Sequence, residues 1–154
     1  MVVHGASGGV GHLAVQLAKA EGAHVAATTG RADRAALATR DADVALDLVG
    51  GEDTMALLDT VRRGGLLLAV ATGADDPVKE EARRRGIRVL EPLVEPDGRV
   101  LEEITRMVDA RTLVVRVAEN FPLERAAAAH ERLERGGVNG KLVLEVESME
   151  VSRR

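Results

Sequence analysis

A cluster of glycines stands near the start of the sequence, in the segment HGASGGVG. Glycine has no side chain to bury and loses more conformational freedom on folding than any other residue, so the cluster indicates a need for bare backbone. Ala6, Gly8 and Gly11 fall in the GxGxxG register, with alanine in the first position. In that register a tight turn leads into a helix, and free N–H groups near Gly9, Val10 and Gly11 can hold a phosphate. The spacing predicts a dinucleotide pyrophosphate site, although a plain tight connection between strand and helix can carry the same glycines.

The end of the second predicted strand carries the residues that decide which dinucleotide binds. Thr28 and Thr29 end this strand without an acid, whereas a site for NAD usually has an acid there to bind the ribose 2′-hydroxyl. Gly30, Arg31 and Arg34 follow. A guanidinium binds phosphate through two parallel hydrogen bonds, so these arginines favour the 2′-phosphate of NADP(H). The alternative is that they are solvated side chains of a helix with an acidic neighbour.

The other side chains capable of chemistry give weaker signals. The sequence has no cysteine, and its four histidines (4, 12, 24 and 130) lack the spacing of metal ligands, so we expect no metal site. We regard the histidines as structural and assign no catalytic residue. Asp47, inside the strand-like run VALDLV, is either a polar anchor near a cofactor or a hydrogen-bonded buried carboxylate, and we favour the second. The absence of tyrosine excludes a short-chain dehydrogenase, whose proton donor is a tyrosine.

The composition limits the class of protein. The 154 residues are 45% hydrophobic and 30% charged with a net charge of −4, as in a globular domain. Basic and acidic residues are interleaved and a single phenylalanine is the one aromatic residue, so we expect neither a nucleic acid nor a membrane as partner. No apolar run approaches the roughly 18 residues of a membrane-spanning helix, and no targeting segment is visible, so we expect a cytoplasmic location.

Apolar runs alternate with amphipathic stretches along the chain and place the glycine turn between a strand and a helix. The predicted strands are 2–4, 23–28, 44–49, 66–71, 87–90, 113–117 and 142–146. The predicted helices are 9–21, 31–39, 53–62, 76–85, 99–110 and 123–135. In the helix 99–110, Leu101, Ile104 and Val108 are spaced for one buried face. The alternation predicts an α/β fold with a doubly wound parallel sheet.

Four segments occur in a characteristic order: HGASGGVGHLAVQLAKAEGAHVAATTG, DADVALDLVGG, TVRRGGLLLAVATG and FPLERAAAAHERLERGGVNGKLVLEV. Together they resemble the zinc-free, quinone-oxidoreductase-like branch of the medium-chain dehydrogenase/reductase superfamily. The resemblance runs from residue 1 to about residue 147 and is far more specific than the glycine turn alone. It implies a Rossmann fold, NADPH as hydride donor, and a quinone or an activated enone or aldehyde as the small-molecule substrate.

The resemblance also implies positions for individual residues. Beneath the pyrophosphate it places Gly8, Gly9 and Val10. Around the adenosine ribose and its phosphate it places Thr29, Gly30 and Arg31. Beside the cofactor, at the carboxyl edge of the sheet, it places Val49, Gly50, Thr72 and Gly73. Leu93 and Val94 would approach the nicotinamide, and Asn139 and Lys141 would close over it, although Asn139 also suits a left-handed turn.

Two departures from the family pattern shape the expected protein. Members of the family begin with a GroES-like β domain that supplies most of the substrate pocket, whereas this sequence starts at the first Rossmann strand. The 14 residues 30–43 suffice for one crossover helix, but not for the helix, strand and helix that the fold normally has there. We therefore expect a sheet shortened by one βα unit, with the family strand order 2-1-4-5-6, and no GroES-like domain.

The expected organisation is one dinucleotide-binding domain over residues 1–147 and a tail over residues 148–154. A new edge strand and uncovered apolar residues between 113 and 146 favour self-association, so a homodimer is a further hypothesis. Two functions remain open from the sequence. One is a truncated NADPH-dependent reductase, and the other is a nucleotide-binding remnant or interaction module without turnover.

Overall fold

The computed structural model describes residues 1–29 and 38–146 of the chain. Within these residues the strands are β1 (Val2–His4), β2 (Ala26–Thr28), β3 (Ala42–Asp47), β4 (Val61–Ala69), β5 (Arg88–Leu90), β6 (Val117–Pro122) and β7 (Lys141–Glu145). The helices are α1 (Gly11–Ala20), α2 (Asp53–Leu57), α3 (Asp76–Arg85), α4 (Gly98–Asp109) and α5 (Ala126–Glu134), with 3₁₀ turns at Leu58–Thr60 and Leu123–Arg125. The predicted helix 31–39 falls almost entirely on residues 30–37, outside this description.

Five strands form one parallel sheet in the order β2-β1-β3-β4-β5. This order confirms the predicted α/β Rossmann-like, doubly wound sheet and corresponds to the family order 2-1-4-5-6. In the described part of the chain β2 is an edge strand, and only the 13 residues 29–41 connect it to β3. Because β1 lies between β2 and β3, the chain changes direction across the sheet at β1, and open sheets bind ligands at such a switch point.

The hydrophobic core lies against β1, β3 and β4. Its largest fully buried apolar side chains are Val2, Val3, Leu57, Leu58 and Leu67. Helix α3 packs on this core through Val78 and Ala82, and its predicted bounds, 76–85, are confirmed. The Asp75 side chain accepts a hydrogen bond from the Val78 N–H at 3.0 Å and begins the helix, while Gly86, with a φ of +69°, ends it.

The segment after α2 differs from the predicted helix 53–62. Helix α2 ends at Leu57, and after one 3₁₀ turn the chain enters β4 at Val61. The Thr60 hydroxyl donates to the Leu57 carbonyl at 2.7 Å and closes that turn. A Cβ on Gly65 would lie 2.9 Å from the Asp43 carbonyl oxygen, so glycine permits an irregular pairing of β4 with β3. Sequence periodicity does not reveal this, because strand pairing overrides the helical pattern.

Beyond the main sheet, β6 and β7 form a parallel pair joined through α5. The predicted strand 113–117 is wrong, because the strand begins at Val117. Leu113 is buried, but the backbone of Val114 and the N–H of Arg116 bond to side chains of α1, while the Arg116 carbonyl accepts from the N–H of Lys141 at the start of β7. The predicted helix 123–135 is present as a 3₁₀ turn followed by α5.

Helix α4 is amphipathic, but its apolar face is not buried. Leu101 is 64% exposed, Val100 and Val108 are also exposed, and no residue of α4 is buried. The prediction of a buried face on this helix is therefore wrong. The spacing of apolar residues shows which side of a helix would be covered, but not whether another element covers it.

Candidate functional site

The connection between β1 and α1, called here the glycine turn (residues 5–11), depends on missing side chains. Gly5 has a φ of +85°, and a Cβ on it would lie 2.8 Å from Val49 Cγ2. A Cβ on Gly11, the first residue of α1, would lie 2.1 Å from the Gly5 carbonyl oxygen. Bare backbone therefore lets α1 start directly against the end of β1. At Gly8 the nearest atom would be 3.4 Å away, so that glycine provides free space rather than close packing.

The start of α1 presents unpaired hydrogen-bond donors. The His12 N–H donates to the Gly8 carbonyl at 3.2 Å and begins the helical ladder. In the part of the chain that the structure describes, no group accepts a hydrogen bond from the N–H of Gly9, Val10 or Gly11. The first turn also has no acidic residue and no side-chain cap. Three unpaired donors at the positive end of a helix dipole form a site for an anion.

Two cavities meet at the glycine turn, along the carboxyl ends of the strands. The smaller one has a volume of about 220 Å³ and is also lined by Leu48 and Val70. The larger one has a volume of about 620 Å³ and is lined by the tips of β2 and β3 and by residues 136–139. Because both include Gly5, Gly8 and Leu48 in their lining, we treat them as one cleft across the switch point.

The structure brings half of the predicted cofactor residues to this cleft. Those that line it are Gly8, Gly9, Val10, Gly11, Thr29 and Val49. Gly50 and Thr72 instead contact each other, since a Cβ on Gly50 would lie 2.3 Å from Thr72 Oγ1. Gly73 lies close to Glu91 in the same way, since a Cβ built on Gly73 would be 2.8 Å from Glu91 Oε1. The predicted residues Gly30, Arg31 and Arg34 lie outside the described residues.

The four residues assigned to the nicotinamide side also divide into those that line the cleft region and those that do not. Leu93 and Val94 are 90% and 87% exposed. Asn139 lines the larger cavity, and the Lys141 side chain lies over Gly9, at 3.0 Å from a Cβ built there. Val70 and other apolar residues that line the cleft were not predicted from the sequence. Val70 could have been found, because it lies at the carboxyl end of the predicted strand 66–71, the edge where the cofactor was expected.

His4 has a structural role at the edge of the cleft. The Gly5 N–H donates to Thr28 Oγ1 at 3.2 Å, and Thr28 Oγ1 lies 2.8 Å from His4 Nδ1. We assign the hydroxyl hydrogen to Nδ1, which leaves the imidazole proton on Nε2. His4 is 5% exposed, and its Nε2 is 3.9 Å from Asp53 Oδ2 without a hydrogen bond. These contacts fix the tip of β2 to the glycine turn.

Asp47 anchors the loop that forms one lip of the cleft. It is 1% exposed and ends β3. Its Oδ1 accepts hydrogen bonds from the N–H of Val49 at 3.0 Å and of Gly50 at 2.9 Å, and its Oδ2 accepts one from the Thr54 hydroxyl at 2.6 Å. The favoured interpretation, a hydrogen-bonded buried carboxylate, is confirmed. The loop that Asp47 holds contains Val49 and Gly50, which were predicted to lie beside the cofactor.

Replacing Asp47 will destabilise the fold. We expect Asp47→Ala to lower the free energy of unfolding by about 3 kcal/mol, because two backbone N–H groups and a hydroxyl lose a charged acceptor. Urea denaturation followed by circular dichroism measures the loss. Asp43→Ala is the matched control, since Asp43 lies on the same strand but is exposed and pairs with Arg62. Equal losses for the two variants would contradict the anchoring role.

Glu91 holds the segment that follows β4 and the cleft residues Val70 and Ala71. Its Oε1 accepts hydrogen bonds from the Ala74 N–H at 2.8 Å and forms an ion pair with Lys79 Nζ at 3.0 Å. The Ala74 N–H, and after it the Lys79 ammonium, stabilise the carboxylate and hold the pKa of Glu91 below its ordinary value of 4.5. Glu91 thus closes residues 72–74 onto the end of β5.

The contacts of Glu91 with Ala74 and Lys79 make the free energy of unfolding decrease as the pH becomes acidic. A pKa lowered by folding contributes stability above the ordinary value of 4.5, and the contribution is lost as the pH falls below it. We expect the urea midpoint of the wild type to fall more between pH 6 and about pH 3 than that of Glu91→Gln, because the amide keeps the Ala74 contact and does not titrate. The same fall in both proteins would show that Glu91 does not act in this way.

The described residues contain no group of three or more histidine, aspartate or glutamate side chains placed to hold a metal ion. Among the same residues, no helix has the length and apolar character needed to cross a membrane.

Comparisons with known proteins agree with this geometry. A family profile described as "Zinc-binding dehydrogenase" matches residues 20–144. The chain is similar to the NAD(P)H oxidoreductase RTN4IP1, mitochondrial, of Danio rerio, with 26% identity over 95% of the chain and 49% of the relative. It is also similar to an alcohol dehydrogenase of Rhizobium meliloti, with 32% identity over 90% of the chain and 48% of the relative.

Among solved structures, the quinone oxidoreductase from Coxiella burnetii superposes with a TM-score of 0.83 and 29% identity, covering 92% of this chain and 50% of that chain. The chain thus spans about half the length of the relatives that it matches. The chain therefore belongs to the zinc-binding dehydrogenase family, in the quinone-oxidoreductase-like branch of the medium-chain dehydrogenase/reductase superfamily.

Proposed function

We propose that the chain binds NADPH and forms the cofactor-binding part of a reductase that transfers hydride to a small quinone or activated carbonyl compound. The observation that carries the proposal is the set of unpaired N–H groups of Gly9, Val10 and Gly11 beneath an open cleft. The names of two similar proteins, an NAD(P)H oxidoreductase and a quinone oxidoreductase, support the same reaction class.

The cleft fits a dinucleotide. Gly8 leaves free space next to the unpaired donors, which are the groups that would hold the diphosphate. Cavities of about 620 and 220 Å³ on the two sides give room for the two nucleoside halves. When bound, NADPH supplies the hydride from its nicotinamide ring. The protein's own contribution is to bind and orient the cofactor. Asp47 holds the cleft residue Val49 in place, and Glu91 holds the segment that follows the cleft residue Ala71.

The choice of NADPH rather than NADH rests on the end of β2. Thr28 and Thr29 provide no acid there, and we propose that Arg31 and Arg34, which follow, lie near the 2′-phosphate. Asp53 also lines the larger cavity, and a carboxylate favours a free ribose hydroxyl, so NADH is the competing cofactor.

Titration of the purified chain with NADPH and with NADH, followed by nicotinamide fluorescence, tests binding. We expect saturable binding with preference for NADPH. Addition of a quinone should then consume the absorbance of bound NADPH if the chain also turns over. No binding of either dinucleotide would reject the proposal.

The second candidate is a nucleotide-binding module without turnover. It is favoured by the exposure of Leu93 and Val94, which the resemblance assigns to the nicotinamide side. Saturable NADPH binding without oxidation by quinones or enones would support this candidate over the reductase.

The remaining expectations are also proposals. We propose that residues 1–147 form one dinucleotide-binding domain and that the protein is cytoplasmic. We also propose that its chemistry does not use zinc, because the sequence has no cysteine. We further propose a homodimer, because α4 presents an uncovered apolar face. A chelator should leave NADPH binding unchanged, and gel filtration should give twice the monomer mass.

A further inference from the structure

A third cavity, with a volume of about 420 Å³, lies on the α1 side of β2. Ser7 and Thr29 line both this cavity and the larger cavity of the cleft. The Ser7 hydroxyl donates to the Thr29 carbonyl at 3.0 Å, so the two residues form a fixed boundary between the cavities. A group attached to a ribose at this boundary can reach the third cavity.

The backbone of Arg116 is fixed at the wall of this cavity. Its N–H donates to His12 Nε2 at 3.1 Å, and its carbonyl accepts from the Lys141 N–H at 2.9 Å. His12 Nδ1 lies 2.8 Å from the Gly8 carbonyl and must donate to it, so the imidazole proton is on Nδ1 and Nε2 is the acceptor. One neutral imidazole thus connects Arg116 to the glycine turn.

Gln16, one turn further along α1, holds the neighbouring residue. Its amide donates to the Val114 carbonyl at 2.9 Å and accepts from the Val114 N–H at 2.8 Å. Residues 114–116 are therefore bound along α1 by side chains that pair with the backbone as a strand would. Only the flexible end of the Arg116 side chain has to become ordered when a ligand binds, which lowers the entropic cost.

Among the described residues, no group compensates the charge of Arg116. Its guanidinium has no ion pair or hydrogen bond with any described residue. Other arginines are paired, namely Arg62 with Asp43, Arg85 with Asp59 and Arg132 with Glu119. The described lining of the third cavity has no carboxylate. The cavity therefore has a positive charge with free donors, which suits a phosphate group.

We propose that Arg116 binds the 2′-phosphate of the adenosine ribose and so adds to the preference for NADPH over NADH. This inference rests on the proposed function. A nucleotide whose adenosine occupies the larger cavity has its ribose next to the Ser7–Thr29 boundary, and its 2′-phosphate then enters the third cavity. The guanidinium can donate two parallel hydrogen bonds to the phosphate oxygens.

The test compares the dissociation constants of NADPH and NADH for the wild type and for Arg116→Ala, Arg116→Lys and Arg63→Ala. Because a charged hydrogen bond to phosphate is lost, Arg116→Ala should weaken NADPH about tenfold or more and NADH less than about twofold. Arg116→Lys should recover part of the NADPH affinity. Arg63→Ala, an exposed arginine in the first half of β4, removes the same charge far from the carboxyl edge and should change neither.

Each outcome decides a different point. If Arg116→Ala weakened both dinucleotides equally, or changed neither, the role of Arg116 would be overturned and the proposed function would stay intact. If it changed neither, Arg31 and Arg34 would account for any preference for NADPH. Failure of the wild type to bind either dinucleotide would overturn both proposals. Adenosine 2′,5′-bisphosphate and 5′-AMP, titrated by calorimetry, isolate the phosphate, and only the first should lose affinity in Arg116→Ala. Urea midpoints equal to that of the wild type confirm that each variant is folded.

Discussion

Gly11→Ala is expected to destabilise the chain by about 3 kcal/mol or more, because overpacking against backbone atoms cannot be relieved by a rotamer change. The added Cβ would lie 2.1 Å from the Gly5 carbonyl oxygen and 2.6 Å from Ala6 Cα. The gain in helix propensity from alanine, about 1 kcal/mol, is too small to offset this. A domain of this size has a total stability of only about 5–15 kcal/mol, so a large part of it would be lost.

Gly98→Ala is the matched control, because Gly98 also begins a helix but has no atom within 4 Å of a Cβ built there. We expect it to be neutral or to stabilise the chain by up to about 1 kcal/mol. Urea denaturation followed by far-UV circular dichroism measures both variants. If Gly11→Ala and Gly98→Ala had the same midpoint, α1 would not approach β1 as closely as the structure shows.

The glycine turn could be predicted because its requirements are local. Close approach at Gly11 and a left-handed turn at Gly5 each exclude other residue types at a fixed spacing. The alternation of strands and helices and the shortened sheet were predictable for a similar reason, since the length of each connection limits what it can contain. Those features therefore need no knowledge of distant contacts.

The features that were missed depend on distant contacts. The run LVVRV has the composition of a strand, yet Val114 pairs with Gln16, which is 98 residues earlier. The apolar spacing on α4 predicted burial, but the described chain places nothing over Leu101. Arg116 carried no sequence signal at all, because its position on the same cavity as Ser7 results from tertiary structure. No local pattern encodes which groups such residues meet.

A single carboxylate at residue 10 should change stability and ligand affinity in opposite directions. Val10 is 55% exposed and lies beside the unpaired N–H groups at the start of α1, so its replacement costs little packing. In Val10→Asp the new charge interacts favourably with the helix dipole, and we expect the free energy of unfolding to rise by about 0.3–1 kcal/mol. The same charge repels a diphosphate, and we expect the NADPH dissociation constant to increase by about tenfold or more.

Val10→Asn separates charge from shape, because the amide has the size of the carboxylate without its charge. Its NADPH dissociation constant should stay within about threefold of the wild type, and added salt should restore affinity partly in Val10→Asp and not in Val10→Asn. Fluorescence titration at low and high salt, together with urea denaturation, measures both effects. A Val10→Asp variant that is more stable yet binds NADPH as tightly as the wild type would show that the diphosphate is held elsewhere. The donors at the start of α1 stabilise any anion placed there, so a carboxylate built into the chain must compete with the diphosphate for them.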